Sequence, residues 1–577
     1  MYISEIKEIS NYRNLTGKTI KFNKAINFLI GENNIGKTNV LELLNTFLSV
    51  GKFVESDFTN VLEPIKVRLT ICYDSDEVGF FEDNFDIDEN NAITLIAKQG
   101  SVDERIVYYH DTPNETKISA TVIKKMNVLY YYAQRMPSKE VDFRKTSGSG
   151  KVLNYFIQHS LELSGIEEKD ILKKTKLNSI VKDVNNKIDS INTITGDIVN
   201  AYLDPNIDKI VCRMLELGDE NGREIGALGE GVQYAFNILL QILEIIYTTK
   251  VTRKPEDFEE RLIDKNGKKI FPLFLILDEP EIHQHPYRQR SLVKKIEALL
   301  KNENTIFTSL LKELFDIDGL IGQIFIATHS PNILLNDYRQ FIRLYKPVKS
   351  SKTSIEIKSG MNIEFNDEKI IKHMLHNFLY LKEAMFSRYI IFVEGDTENG
   401  AVPVFAKRMS LDLDEKGIGV IKLDGADSVK RCMKLYEEFG ISNVAMIDRD
   451  KYSDYGRIKG VYYTDAQDYE EDIYNNFSLE DYVECCKELD GISIFIGILK
   501  KKGIAFNPRD FMENYHDVIV TIPKTLQEEI MQDNWDSQTA YLKSSKNTFK
   551  GAILAEYVTS IPTSFEKMLN KLIREVK

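Results

Sequence analysis

The chain has 577 residues, of which 43% are hydrophobic and 28% charged, with 31 glycines and 14 prolines. Collagen-like, low-complexity and largely disordered chains are excluded, and at about 150 residues per domain two to four domains are expected. The formal charge of −13 works against unspecific attraction to nucleic acid, but a site full of metal-binding carboxylates would itself make a nuclease acidic, so net charge decides little.

Met1–Lys7 lacks the basic-then-apolar order of a signal peptide. Apolar runs such as 274–277 and 390–393 stop at carboxylates, far short of the roughly 20 residues that cross a bilayer. A cytoplasmic protein without a transmembrane span is expected. The five cysteines, Cys72, Cys212, Cys432, Cys485 and Cys486, form no C-x-x-C motif, which argues against disulfides and structural zinc.

From residue 1 to about 135 short β-rich runs alternate with turns, among them 66–71 and 92–96. After a flexible Gly/Ser turn at 145–150 the pattern becomes helical to about 205, and 151–205 reads as a helical insertion. Strand and helix alternation returns from 207 to 345. A polar stretch near 349–353 then marks a linker, placed at 346–385, before a third region that opens with the strand 389–393.

The apolar strand 27–30 runs into Gly31-Glu32-Asn33-Asn34-Ile35-Gly36-Lys37-Thr38, which satisfies G-x-x-x-x-G-K-[ST], and the segment from Asn39 to Leu48 reads as a helix. In that setting backbone N–H groups cradle phosphate, Lys37 reaches the β and γ phosphates and Thr38 ligates Mg²⁺; Gly31, Asn34, Gly36 and Asn39 belong to the same cradle. Residues 273–277 form a buried-type strand ending in Asp278-Glu279, where Asp278 would hold Mg²⁺ and Glu279 polarise the attacking water. A further apolar strand, 323–327, leads to His329, which could reach a γ-phosphate.

These three pieces, with Asn11-Tyr12-Arg13-Asn14-Leu15 and Leu228-Gly229-Glu230-Gly231-Val232-Gln233, resemble the ABC-type ATPases of the SMC, RecF and OLD group over residues 1–345. The resemblance implies an ATP-binding role for Arg13. It also implies that 228–233, with Gly229 and Gly231, is a signature loop completing the ATP site of a second subunit, in a dimer of ATPase heads. The family's Ser-Gly-Gly is here Gly-Glu-Gly, which puts fast turnover in question and favours ATP as a regulator. Gln134 is a candidate metal-contacting glutamine.

The strand 389–393 leads into Glu394-Gly395-Asp396-Thr397-Glu398, and the strand 443–447 into Asp448-Arg449-Asp450. Carboxylates at the C-terminal ends of parallel strands sit where doubly wound sheets bind ligands. Asp448 and Asp450, two apart in an extended segment, would point to one side and share Mg²⁺ or Mn²⁺. These residues look like a Toprim domain over 386–577, and an ABC ATPase followed by Toprim is the OLD-family arrangement. The fold class implied is α/β: an ABC-type ATPase with a helical insertion, then a doubly wound parallel Toprim sheet.

The resemblance further implies a second metal on Glu398 and an acidic cluster matched by Asp468 and Glu470, and a phosphate-stabilising lysine, Lys546 first and Lys550 second. Two metals would activate water and stabilise the leaving oxygen. The activity implied is DNA endonuclease action under ATP control, with service in phage defence beside a UvrD-like helicase or a reverse transcriptase with its RNA. An ATP-gated RecF-like clamp without nuclease activity is the competing class, and phosphatase-like chemistry on small esters a third. Lys500-Lys501-Lys502 is a basic stretch that fits either backbone contact or a solvated face.

Overall fold

The computed structural model describes residues 1–81, 85, 87–133, 142–143, 147–164, 181–182, 207–215, 217, 230–252, 254–282, 284–347, 355–364, 378–423 and 425–576. They fall into two compact units, Met1–Leu29 with Gly36–Thr328, and Ile30–Ile35 with His329–Lys577. Gln134, Leu228, Gly229 and, within the 151–205 insertion, residues 165–180 and 183–205 lie outside the described residues.

The first unit contains an antiparallel sheet built on β1 (Tyr2–Ser10), with β2 being the phosphate-loop strand (Ile26–Gly31), followed by α1 (Lys37–Leu48), β3 (Ile65–Cys72), β4 (Ala92–Gln99) and β5 (Val107–His110). Strands β1, β3, β4 and β5 are neighbours in that order. The expected strands near 66 and 92 are β3 and β4. Further on come β6 (Asn127–Tyr131), α2 (Ser149–Ser164), α3 (Glu230–Val251), β7 (Lys268–Asp278), α4 (Pro286–Leu300), α5 (Thr305–Phe315) and β8 (Gly319–Ala327). Strands β6, β7 and β8 pair in parallel, and β8 pairs in parallel with β2. Strand β7 is buried from Ile270 to Asp278, as a strand covered on both faces must be.

The second unit opens with an antiparallel pair, β9 (Phe341–Tyr345) and β10 (Glu356–Ser359), so part of the segment expected as linker is a strand. The helix α6 (Phe378–Ala384) leads to β11 (Tyr389–Val393), α7 (Asp396–Arg408), β12 (Ile418–Lys422), α8 (Val429–Glu438), β13 (Ser442–Ile447), β14 (Val461–Tyr463) and α9 (Tyr469–Asn475). These four strands form a parallel sheet in the order β12, β11, β13, β14. Later helices include α10 (Trp535–Lys543), α11 (Thr548–Tyr557) and α12 (Thr563–Val576). Tyr389, Ile391 and Val393 of β11, with Val444 and Met446 of β13, share one core with Phe405, Tyr469, Leu554 and Phe565 from the helices.

Helices α7 and α11 touch backbone to backbone. A Cβ on Gly400 would stand 1.9 Å from Thr548 O, and one on Gly551 1.9 Å from Thr397 O. Only glycine permits this approach, which brings the segment preceding α11 against the first turn of α7. Gly400→Ala is expected to cost about 1–3 kcal/mol through forced separation, measured as a lower denaturant midpoint. Gly497→Ala, at an open helical position, is expected to be neutral or stabilising by up to about 1 kcal/mol.

Candidate nucleotide and metal sites

The register of the first unit sets Leu29 of β2 beside Ala327 of β8, and Ala327 beside Asp278 of β7. Strands β7 and β8 thus end level, β2 runs two residues further to Gly31, and each delivers a chemically active segment to that edge. After β2 the chain makes the glycine loop, with Asn34 at φ 57° and Gly36 at φ 108°. A Cβ on Gly36 would also lie 2.7 Å from the Asn14 side chain. The helix α1 starts at Lys37, two residues earlier than the sequence suggested, so the amides of 37–39 stand at its N-terminus, the end of a helix that attracts anions.

Thr38 Oγ1 donates to Asp278, 3.2 Å from Oδ2. Burial pushes the Asp278 carboxyl up to about 6, repulsion from Glu279 adding to it while the Thr38 bond and Lys37 oppose. A carboxylate so poised beside a hydroxyl suits a hard cation. Glu279 takes a left-handed backbone, φ 48°, and its N–H donates to Ala327 O. His329 lies two residues beyond the end of β8 and is exposed.

Arg13 is engaged by neighbouring side chains. Its guanidinium donates to Asp57 and Asn39 and pairs with Glu42, so it clamps the outer side of α1. The Asn39 side chain is held by Arg13 and Asn14, which leaves only its backbone for phosphate. Gly231 is buried within the first turn of α3 and is not part of a loop.

In the second unit, Glu394 and Asp448 follow the adjacent strands β11 and β13, with Val393 beside Met446. The Asp448 N–H donates to Glu394 Oε2 at 3.3 Å, and Tyr469 N–H donates to Asp448 Oδ1 at 3.2 Å. Glu398 lies buried in the first turn of α7. Thr397 Oγ1 is 3.2 Å from Glu470 Oε1 and 3.3 Å from Glu398 Oε2, so its single proton serves one carboxylate at a time. Lys546 Nζ donates to Glu470 Oε2 at 2.6 Å.

The electrostatics are those of crowded anions. Burial raises Asp448, and the charges of Glu398 and Glu394 raise it further. Burial also raises Glu398, with Glu470 repelling it, and Glu394, with Asp450 repelling it. Burial lowers Lys546, but the hydrogen bond and charge of Glu470 outweigh this and hold it protonated.

Two expected members sit differently from the sequence reading. Asp450 is not in an extended run, because residues 449–451 form a 3-10 turn whose cap is Asp448; its carboxylate is exposed and pairs with Lys451 at 3.2 Å. Asp468 caps α9 through Glu471 N–H and binds Lys543 at 2.7 Å. Lys550 donates to Tyr541 O and Ser544 O, closing the C-terminal end of α10, so of the two candidate lysines Lys546 is the one at the carboxylates.

The sequence reading missed Thr397, an inconspicuous hydroxyl between two acids, and Asp472, which burial pushes up to about 6 and which accepts N–H bonds from Asp465 and Ala466. It also missed Lys543. A periodic run of lysines at 543, 546 and 550 was the available signal.

Glu394, Glu398, Asp448 and Glu470 against one ammonium form an oxygen-only, net anionic donor set, which fits Mg²⁺ or Mn²⁺ by ligand chemistry. Among the described residues no three His, Cys, Asp or Glu side chains are already closed into a cage, so loading would draw these carboxylates inward.

Fold and site together define a phosphate-loop ATPase joined in one chain to a Toprim domain. Residues 1–149 and 133–334 match the AAA ATPase domain family, to which the chain belongs. Residues 385–450 match the Overcoming lysogenization defect protein-like TOPRIM domain, and the chain is an OLD-family ATPase-Toprim protein. Domains of these kinds use ATP and divalent metal.

The Old nuclease of Escherichia phage P2 is 22% identical over 491 residues, 77% of this chain and 76% of that protein. RecF of Francisella tularensis subsp. novicida is 31% identical over 81 residues, 14% of this chain and 23% of RecF. The C-terminal region of the Burkholderia pseudomallei OLD protein covers 33% of this chain and all of that one, at 17% identity and a TM-score of 0.20, too low to carry an argument. No described helix is long and apolar enough to cross a membrane.

A carboxyl raised in the folded state binds more protons folded than unfolded. Its stabilising contribution is full below the unfolded value near 4 and is lost as pH rises through the folded value. In EDTA the melting temperature is therefore expected to fall between about pH 5 and about pH 9, and Asp448→Asn to flatten that fall and melt about 2 °C or more higher at the alkaline end. Mn²⁺ is expected to raise the wild type and not the variant, read by scanning calorimetry.

Proposed function

We propose that this protein is a metal-dependent DNA endonuclease whose activity is governed by ATP binding at its phosphate loop, and that it serves in defence against phage. The observation that carries the reading is the convergence of Glu394, Glu398, Asp448 and Glu470 on Lys546 at the C-terminal edge of the β11–β13 sheet. The similarity to the phage P2 Old nuclease supports nuclease chemistry.

Phosphodiester hydrolysis brings an oxygen nucleophile to an anion and expels an alkoxide. Glu394 and Asp448 would hold one divalent cation, with Asp450 reaching in from the rim; Glu398, Glu470 and Asp468 would hold or share a second. When bound, such ions activate water and neutralise charge on the phosphate. The chain's own residues do the rest. Lys546, released from Glu470, offers a protonated ammonium to a non-bridging phosphate oxygen. Thr397 steers Glu470 and Glu398 as that partner changes, and Lys543 fixes the first turn of α9 through Asp468 and Glu471.

ATP control is supported by an ion pair within the second unit. Phosphate-loop residue Glu32 accepts from Arg388 Nε at 2.6 Å and Nη2 at 2.8 Å, and Arg388 immediately precedes β11, whose end leads into Glu394. The missing serine in Gly229-Glu230-Gly231 favours regulation over rapid turnover. A dimer of ATPase heads, and a helicase or reverse-transcriptase partner, belong to the same proposal.

Purified protein incubated with plasmid and linear DNA and Mn²⁺ or Mg²⁺ is expected to cut. Glu394→Ala and Asp448→Ala should abolish cutting, Lys546→Ala should slow it about 10²- to 10³-fold, and Lys37→Ala should change its ATP dependence. Cutting that survives Glu394→Ala and Asp448→Ala overturns the assignment. Intact DNA with ATP-dependent binding would favour a RecF-like clamp.

A further inference from the structure

Helix α4 packs through Leu292, Val293, Ile296 and Leu299 and turns a basic face outward. At 3.6 residues per turn, Arg290 and Lys294 line one flank of that face and Arg288 and Lys295 the other. Tyr287, Ser291 and Ala298 run between them, and the resulting trough holds about 370 Å³. Tyr287 is 72% exposed. Its ring stacks on His285 at 5.6 Å and 11°, and the Arg290 guanidinium lies 4.7 Å from its centre.

Among the described residues Arg288, Lys294 and Lys295 form no ion pair, and Glu297, the one carboxylate of α4, is bound to Lys301 at 2.8 Å. The cluster stands in a chain of net charge −13. By contrast Lys502, at the end of the basic stretch 500–502, is held by Glu529 and Asp533.

We propose that α4 is a docking ridge for the phosphate backbone of duplex DNA. Two cationic rows on either side of a helix about 10 Å wide match phosphates bordering the two sides of a groove, and an anionic charge every ~1.7 Å of duplex supplies partners for all of them. The exposed Tyr287–Arg290 stack gives a flat face against sugar or base. An acidic peptide would answer the lysines and leave that stack without a role.

The ridge is tied to the nucleotide site. Gln284 Nε2 donates to Pro280 O and Gln289 Nε2 to Gln284 O, which links the first turn of α4 to the turn carrying Asp278 and Glu279. DNA held on α4 would therefore lie against the segment that follows Asp278 and Glu279. This inference rests on the reading of DNA as substrate and adds where the ATPase unit grips it.

The test measures full-length protein binding a short fluorescent duplex by anisotropy, in EDTA, across a salt series. Lys294→Gln with Lys295→Gln, and the same pair changed to Glu, are compared with Lys500→Gln plus Lys501→Gln as a charge-matched control. The α4 variants are expected to bind at least tenfold more weakly near ~0.15 M salt, with a log–log slope shallower by about two, and the control to match wild type. Wild-type slope in the α4 variants, or equal loss in the control, overturns the ridge while leaving nuclease activity to stand. Wild-type protein that binds no duplex at any salt overturns both.

Discussion

Everything distinctive in the second unit depends on holding like charges together at the end of a parallel sheet. Adjacent strands β11 and β13 each deliver a carboxylate to the same edge, and the helices that cover the sheet add Glu398 and Glu470. Carboxylates withdrawn from water are costly unless matched by positive charge, and here one ammonium, Lys546, faces four of them. The fold tolerates this through close packing elsewhere: α7 and α11 meet at Gly400 and Gly551, and β11 is buried along its whole length.

The phosphate loop solves the complementary problem, the binding of an anion. Adjacent strand ends, a glycine loop with Asn34 and Gly36 at positive φ and the N-terminus of α1 suit a phosphate, and Asp278 with Thr38 suits its counter-cation. Within the second unit, Glu32 pairs with Arg388, the residue just before the strand that leads to Glu394.

The strand-borne groups were legible in the sequence because each stood at the end of an apolar run, where the position of a side chain is set by the strand itself. That is why the phosphate loop, Asp278, Glu394 and Asp448 could be read directly. What depended on distant segments meeting could not. Lys546 and Lys550 stand four residues apart, and only the folded chain turns the first to Glu470 and the second to the carbonyls of 541 and 544. The partners of Arg13 were equally invisible: Asp57 and Glu42, remote from it in the chain, meet its guanidinium. Asp450 departed from expectation for a local reason: the chain curls into a 3-10 turn after Asp448, which breaks the alternation assumed for a strand.

The central claim is that the carboxylates at the β11–β13 edge are gathered to bind divalent metal. Anomalous diffraction from crystals grown with Mn²⁺ tests it most directly. The expected result is a manganese peak bridging Glu394 and Asp448, with Lys546 displaced from Glu470. Manganese absent from that edge at saturating concentration, with Lys546 still on Glu470, would contradict it.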